Sequence, residues 1–151
     1  MSHYFTFALA ACTVSWIVGM LLNSLLIKTV HYKKLSHFNF IPGKKANKFM
    51  GMPAFKWIVK NTFFKFFNQK IKLENKKTDL AEIHHEMTVA EMGHLIGFLF
   101  VTAVALYKGF TEGILFGLVI MALNLLMNLY PSLLQQENKR RLDKLIQRQN
   151  Q

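Results

Sequence analysis

Thr88-Val-Ala-Glu91-Met-Gly-His94-Leu-Ile-Gly-Phe-Leu-Phe-Val-Thr-Ala-Val-Ala-Leu106 is the stretch whose reading decides the fold. From Leu95 to Leu106 it holds no charged residue, and it is entered through a carboxylate and an imidazole three positions apart. An apolar run of this length predicts a membrane span. On a helix, Glu91 and His94 share a face. Ionisable groups entering a span cost free energy unless water or a partner receives them, so the pair is a candidate functional site.

Working outward, two further spans are predicted. The first covers about residues 5–30, where apolar and small residues continue up to Lys28. The second is the quoted stretch, taken as 89–107, and the third covers 113–134. The residues from Lys108 to Glu112 are read as a short loop between them. The chain is thus expected to be an all-α integral membrane protein of three transmembrane helices, forming one domain of 151 residues.

The composition agrees: 52% of residues are hydrophobic, yet the formal net charge is +11. Thirteen lysines and four acids fall between Lys28 and Thr88, and five Lys or Arg and two acids after Pro131. Both basic regions flank spans on one side, which predicts a cytoplasmic (inner) membrane protein with its N-terminus outside and its C-terminus in the cytoplasm. The lysines then meet anionic lipid headgroups, and no recognition motif accompanies them that would point to nucleic acid. Cys12 is the single cysteine, which excludes a disulfide framework and a Cys-based zinc site. Leu9-Ala-Ala-Cys12 is similar to a lipoprotein processing site, but no basic residue precedes it and the apolar run continues, so it is read as part of a retained helix.

Residues 31–51 show no sustained period and are read as a connector. After Pro53, the apolar residues Phe55, Ile58, Val59, Phe63, Phe66 and Phe67 recur at helical spacing opposite Lys56, Lys60 and Lys65. An amphipathic helix over about 53–69, lying in the inner headgroup plane, is expected, the alternative being a helix packed on protein. Residues 135–151 form a basic C-terminal tail, in which Arg140 and Arg141 are first of all topology signals.

Depth arithmetic brings polar residues of all three spans together. At 1.5 Å per residue, His94 lies roughly 7 Å and Asn128 roughly 9 Å inside the inner boundary, with Asn23 at a similar level. Asn124, Asn128, Pro131 and Gln135 line one face of the third span. Asn and Gln there seek hydrogen-bond partners, and Gly93 and Gly97 allow a neighbouring helix or an acyl chain to come close. His84 and His85 fall outside the span and read as interfacial polar residues.

A histidine oriented by a carboxylate takes the proton of an attacking hydroxyl, while amides and cations steady the oxyanion. This fits acyl transfer to an alcohol, with no cofactor. Two readings compete with it. His84, His85, Glu86, Glu91 and His94 include ligand types for iron or zinc, although a di-iron site needs a second Glu-x-x-His pair and further carboxylates. Alternatively, the polar residues only join helices in a membrane scaffold.

Ala90-Glu91-Met92-Gly93-His94 opening a span, and Asn128-Leu-Tyr-Pro131-Ser-Leu-Leu-Gln135-Gln-Glu-Asn138-Lys-Arg-Arg141-Leu142 closing the last, resemble the glycosyl-4,4'-diaponeurosporenoate acyltransferase family, with a weaker echo in Phe55-Lys-Trp57. The resemblance runs mainly from Met87 onward. It implies a small bacterial membrane acyltransferase that esterifies a sugar hydroxyl of a glycosylated carotenoid with a fatty acyl group. It also implies that Glu91 and His94, with Asn128, Gln135, Asn138 and Arg141, belong to the site. On this reading His94 is the general base and Glu91 its orienter, and Asn128, Gln135, Asn138 and Arg141 bind substrate. The partners expected are an acyl donor, a hydroxylated lipid-like acceptor and anionic lipid, and so small a bundle is compatible with a homo-oligomer.

Overall fold

A computed structural model describes residues 1–35, 48–49, 51–61 and 80–149. All regular structure among them is helical. Helix α1 spans Ser2–Leu26, α2 is the single turn Tyr32–Leu35, and α3 spans Met52–Asn61. Helix α4 spans Leu80–Glu112 and α5 Ile114–Asn124. A π-helical turn, Leu125–Leu129, joins α5 to α6, Tyr130–Gln149. Three helices, Ser2–Leu26, Leu80–Glu112 and the continuous Ile114–Arg148, are long and apolar enough to cross a membrane. The protein is an all-α membrane protein with three spans.

The first span is held by small residues rather than large ones. Its buried positions are Ala8, Cys12, Ser15, Gly19 and Asn23, spaced four, three, four and four, which is one helical face. Lipid tails are as apolar as leucine, so leucine gains nothing by leaving them, and close backbone approach takes over as the source of attraction. Leu21, Leu22 and Leu25 accordingly face outward. A Cβ on Gly19 would overlap the Gly93 carbonyl oxygen, and Gly97 faces the backbone and hydroxyl of Ser15. At the far end of the bundle, a Cβ on Gly117 would come within 2.7 Å of the Ala105 carbonyl oxygen.

One connection departs from the sequence reading. The residues from Lys108 to Glu112 are helical to the last, and the chain reverses at Gly113 alone, whose φ of +114° suits glycine. Lys108 pairs with Glu112 one turn on and lies over the rings of Phe7 and Phe116 (5.0 and 5.8 Å to the centroids), so the helix keeps its last turn. The basic tail is also helix, to Gln149. Helix α4 has 33 residues, roughly 50 Å at the helical rise, against about 30 Å of hydrocarbon. Its surplus lies at the basic end of the bundle. There Ile83 and Met87 pack on Leu142 of α6, and His84 meets Asp143 at 3.1 Å.

The amphipathic helix is described over Met52–Asn61, and residues 62–69 lie outside the described segments. The described part packs on protein: Met52 joins Leu133 and Leu134, the Phe55 ring stacks on Tyr130 at 5.0 Å, and Lys56 pairs with Glu137. Trp57 and Ile58 stay exposed.

Candidate functional site

The third span carries a buried polar stripe of Asn124, Asn128, Ser132, Gln136 and Lys139. The sequence pattern pointed to Pro131 and Gln135 instead, and the π turn accounts for the one-residue slip. Pro131 has no N–H for the Met127 carbonyl, and its ring would clash with that carbonyl in an α-helix. The chain widens: Tyr130 donates its N–H to Leu125 O, five residues back. The indole of Trp16 on α1 donates to the stranded Met127 carbonyl at 3.4 Å. A wider turn uses one extra residue to complete its circle, so every later position on the interior face falls one residue further along.

At the basic end of this stripe lies a buried charge pair. Lys139 Nζ sits 2.6 Å from Glu91 Oε2, and Gln136 Nε2 donates to Glu91 Oε1 at 3.3 Å. Glu91 and Gln136 are fully buried and Lys139 is 3% exposed. An ion pair this far from water persists only when its geometry is good and its remaining valences are satisfied. Arg140 adds positive charge nearby.

Towards the middle of the bundle the amides interlock. Asn124 Nδ2 donates to Phe98 O at 2.9 Å and to Thr102 Oγ1 at 3.2 Å. Asn128 Nδ2 donates to Asn124 Oδ1 at 2.9 Å and to Ser15 Oγ at 3.0 Å, and Ser15 Oγ donates to Cys12 O at 2.6 Å. This chain of hydrogen bonds ties all three spans together. His94 lies beside it: its ring meets Trp16 edge-on at 6.5 Å, the Asn128 carboxamide faces the imidazole, and its Nδ1 is buried without a hydrogen bond.

The structure places Asn128 beside His94, and Glu91 one turn away on α4 with partners of its own. Glu91 does not hydrogen-bond His94, since Gln136 and Lys139 occupy its two oxygens, and Asn128 is the side chain that faces the imidazole. Gln135 and Asn138 are half-buried on the flanks of the stripe. Arg141 is exposed and pairs with Glu137 at 2.8 Å. Sequence reasoning missed Ser15, Gln136 and Lys139. The repeat of polar residues after Pro131 held the signal, but its phase depends on the π turn.

A third polar spot lies between α1 and α2. Asn23 Nδ2 donates to Val89 O at 2.9 Å, two residues before Glu91. Tyr32 lies beside the Asn23 carboxamide and within the field of Glu91. Tyr32 Oη and Asn23 Oδ1 are both buried without a hydrogen bond. Burial pushes the Tyr32 phenol above its ordinary range, the Asn23 carboxamide pulls it down and the Glu91 charge raises it further; the balance keeps it a protonated donor.

The ligand types weighed for a metal do not converge: among the described residues no three of His, Cys, Asp and Glu form a cluster suited to an ion. The sequence does contain a second Glu-x-x-His, Glu82 to His85, but it lies on α4 itself and both residues are exposed.

A family model described as glycosyl-4,4'-diaponeurosporenoate acyltransferase matches residues 28–148. No curated protein and no solved structure matches the chain.

Proposed function

Because this chain belongs to the glycosyl-4,4'-diaponeurosporenoate acyltransferase family, a family of membrane acyltransferases of carotenoid biosynthesis, we propose that it esterifies a hydroxyl of a glycosylated lipid with His94 as general base. The observation that carries this reading is the buried constellation at the basic end of the spans. It comprises the His94 imidazole with its unpartnered Nδ1 and, one turn along α4, the Glu91 carboxylate holding Lys139 and Gln136.

The imidazole takes the proton of the attacking hydroxyl as the new C–O bond forms at the acyl carbon. The bond from that carbon to the leaving group of the activated donor then breaks, and the imidazolium returns the proton to the departing group. Asn128 positions the imidazole. Glu91 keeps the Lys139 ammonium in place as the positive charge nearest the developing oxyanion, a role that a buried cation performs better than one in water. Gln135, Asn138 and Arg141 lie further along α6, at the rim where a polar head group or donor would arrive.

The basic end faces the cytoplasm on this reading, by the positive-inside rule, with the N-terminus outside. Lys48 and Lys60, beside exposed Phe49 and Trp57, meet anionic headgroups there.

The test is mass spectrometry of lipids and pigments from cells with the intact gene, without it, and with His94→Ala. The intact protein yields a species one fatty acyl group heavier than its precursor. His94→Ala loses transfer by about a hundredfold or more while inserting normally. Full activity in that variant refutes the assignment.

A further inference from the structure

Native proteins rarely leave buried polar atoms unpaired, and those that remain call for an explanation. Two such atoms lie together here. Asn23 and Tyr32 are 2% and 5% exposed, and neither Asn23 Oδ1 nor Tyr32 Oη has a partner. Asn23 is not loosely placed: its amide nitrogen is fixed on Val89 O, which leaves the carbonyl oxygen turned away from α4's backbone. Tyr32 sits on the four-residue helix α2, between the Asn23 carboxamide and the ring of His85, 6.2 Å away and edge-on. An amide oxygen that accepts and a phenol that donates form a pair that one alcohol bridges, by donating to the first and accepting from the second.

We infer that Asn23 and Tyr32 bind the hydroxyl-bearing head group of the acceptor, as specificity-determining residues beside the Glu91 site. This rests on the acyltransferase reading above and extends it to a second spot. The chemistry favours a neutral, hydroxyl-rich group over an anion, since neither atom carries charge.

Tyr32→Phe removes one oxygen and no packing. If that oxygen serves the ligand, its removal costs the empty protein nothing, because an unpaired buried hydroxyl is a burden to the fold. With the variant reconstituted in vesicles, the unfolding midpoint is expected to stay level or rise. KM for the acceptor rises about threefold to tenfold, as for one neutral hydrogen bond, and kcat is kept. A lower midpoint with an unchanged KM shows a structural hydroxyl and overturns the inference, as does no change in either.

Calorimetric binding of a short-chain alkyl glucoside, with the matching alkyl phosphocholine as control, separates this idea from the mechanism. His94→Ala should bind the glucoside, whereas His94→Ala with Tyr32→Phe should bind it more weakly by the same factor; equal binding by both refutes the head-group assignment. A fully active His94→Ala overturns the base assignment alone.

Discussion

Replacing Glu91 by Gln keeps the shape of the side chain and removes its charge at a position with no exposure to solvent. Lys139, 3% exposed, then loses the carboxylate 2.6 Å away that offsets its desolvation. Breaking one side of a buried ion pair costs about 3–5 kcal/mol. For a chain of this length each kcal/mol moves the unfolding midpoint by about 2–4 °C, so the loss amounts to roughly 6–20 °C. Lys139→Met should cost a similar amount. The double variant, Glu91→Gln with Lys139→Met, leaves neither charge unpaired and should regain more than half of the summed loss. Transfer activity stays low in all three. The protein supplies its own probe, because its single cysteine, Cys12, is fully buried in α1 and reacts with a thiol-specific dye only on unfolding. If the double variant loses the sum of the two single losses, the charges are not coupled and the reasoning fails.

Two further outcomes follow from the seams between helices. Gly19→Ala should sharply reduce the yield of folded protein, because its Cβ would overlap the Gly93 carbonyl oxygen, whereas Gly93→Ala should be tolerated, since a Cβ there meets nothing within 4 Å; comparable folded yields from detergent chromatography would contradict this. Pro131→Ala returns an N–H to the Met127 carbonyl and a residue about 3 kcal/mol better suited to a helix. It should nevertheless reduce transfer, because closing the π turn rotates Gln136 and Lys139 away from Glu91 by about 100°, one residue's worth of helix. A more stable protein with undiminished transfer would show that the π turn does not set the site.

Hydropathy made the three spans legible, and helical rise placed His94 and Asn128 at one level, because both depend on numbers that tertiary contacts hardly alter; Asn23 departs from that level, since it bonds Val89 O while Asn128 bonds Ser15, eight residues and about 12 Å from Asn23 along α1. Glu91 and His94 stood out as ionisable groups in an apolar run. The partner of Glu91 was not legible. Lys139 reads as one cation in a basic stretch, and only the phase of α6 beyond the π turn turns it inward. The face that α1 presents was hidden for a different reason. Ala8, Cys12, Ser15 and Gly19 form the contact through their small size, in a helix whose hydrophobicity is nearly even all round, so a search for an apolar stripe passes over them.

The single-residue reversal at Gly113 bears on how the protein reaches its place in the bilayer. Between Glu91 and Glu137 the only charged side chains are Lys108 and Glu112, one helical turn apart and joined as an ion pair at that tip. No polar loop has to be dragged across the hydrocarbon ahead of the spans. The second and third helices can therefore enter together as one hairpin with a neutralised tip, their partnership settled before the first helix docks along its glycine seam.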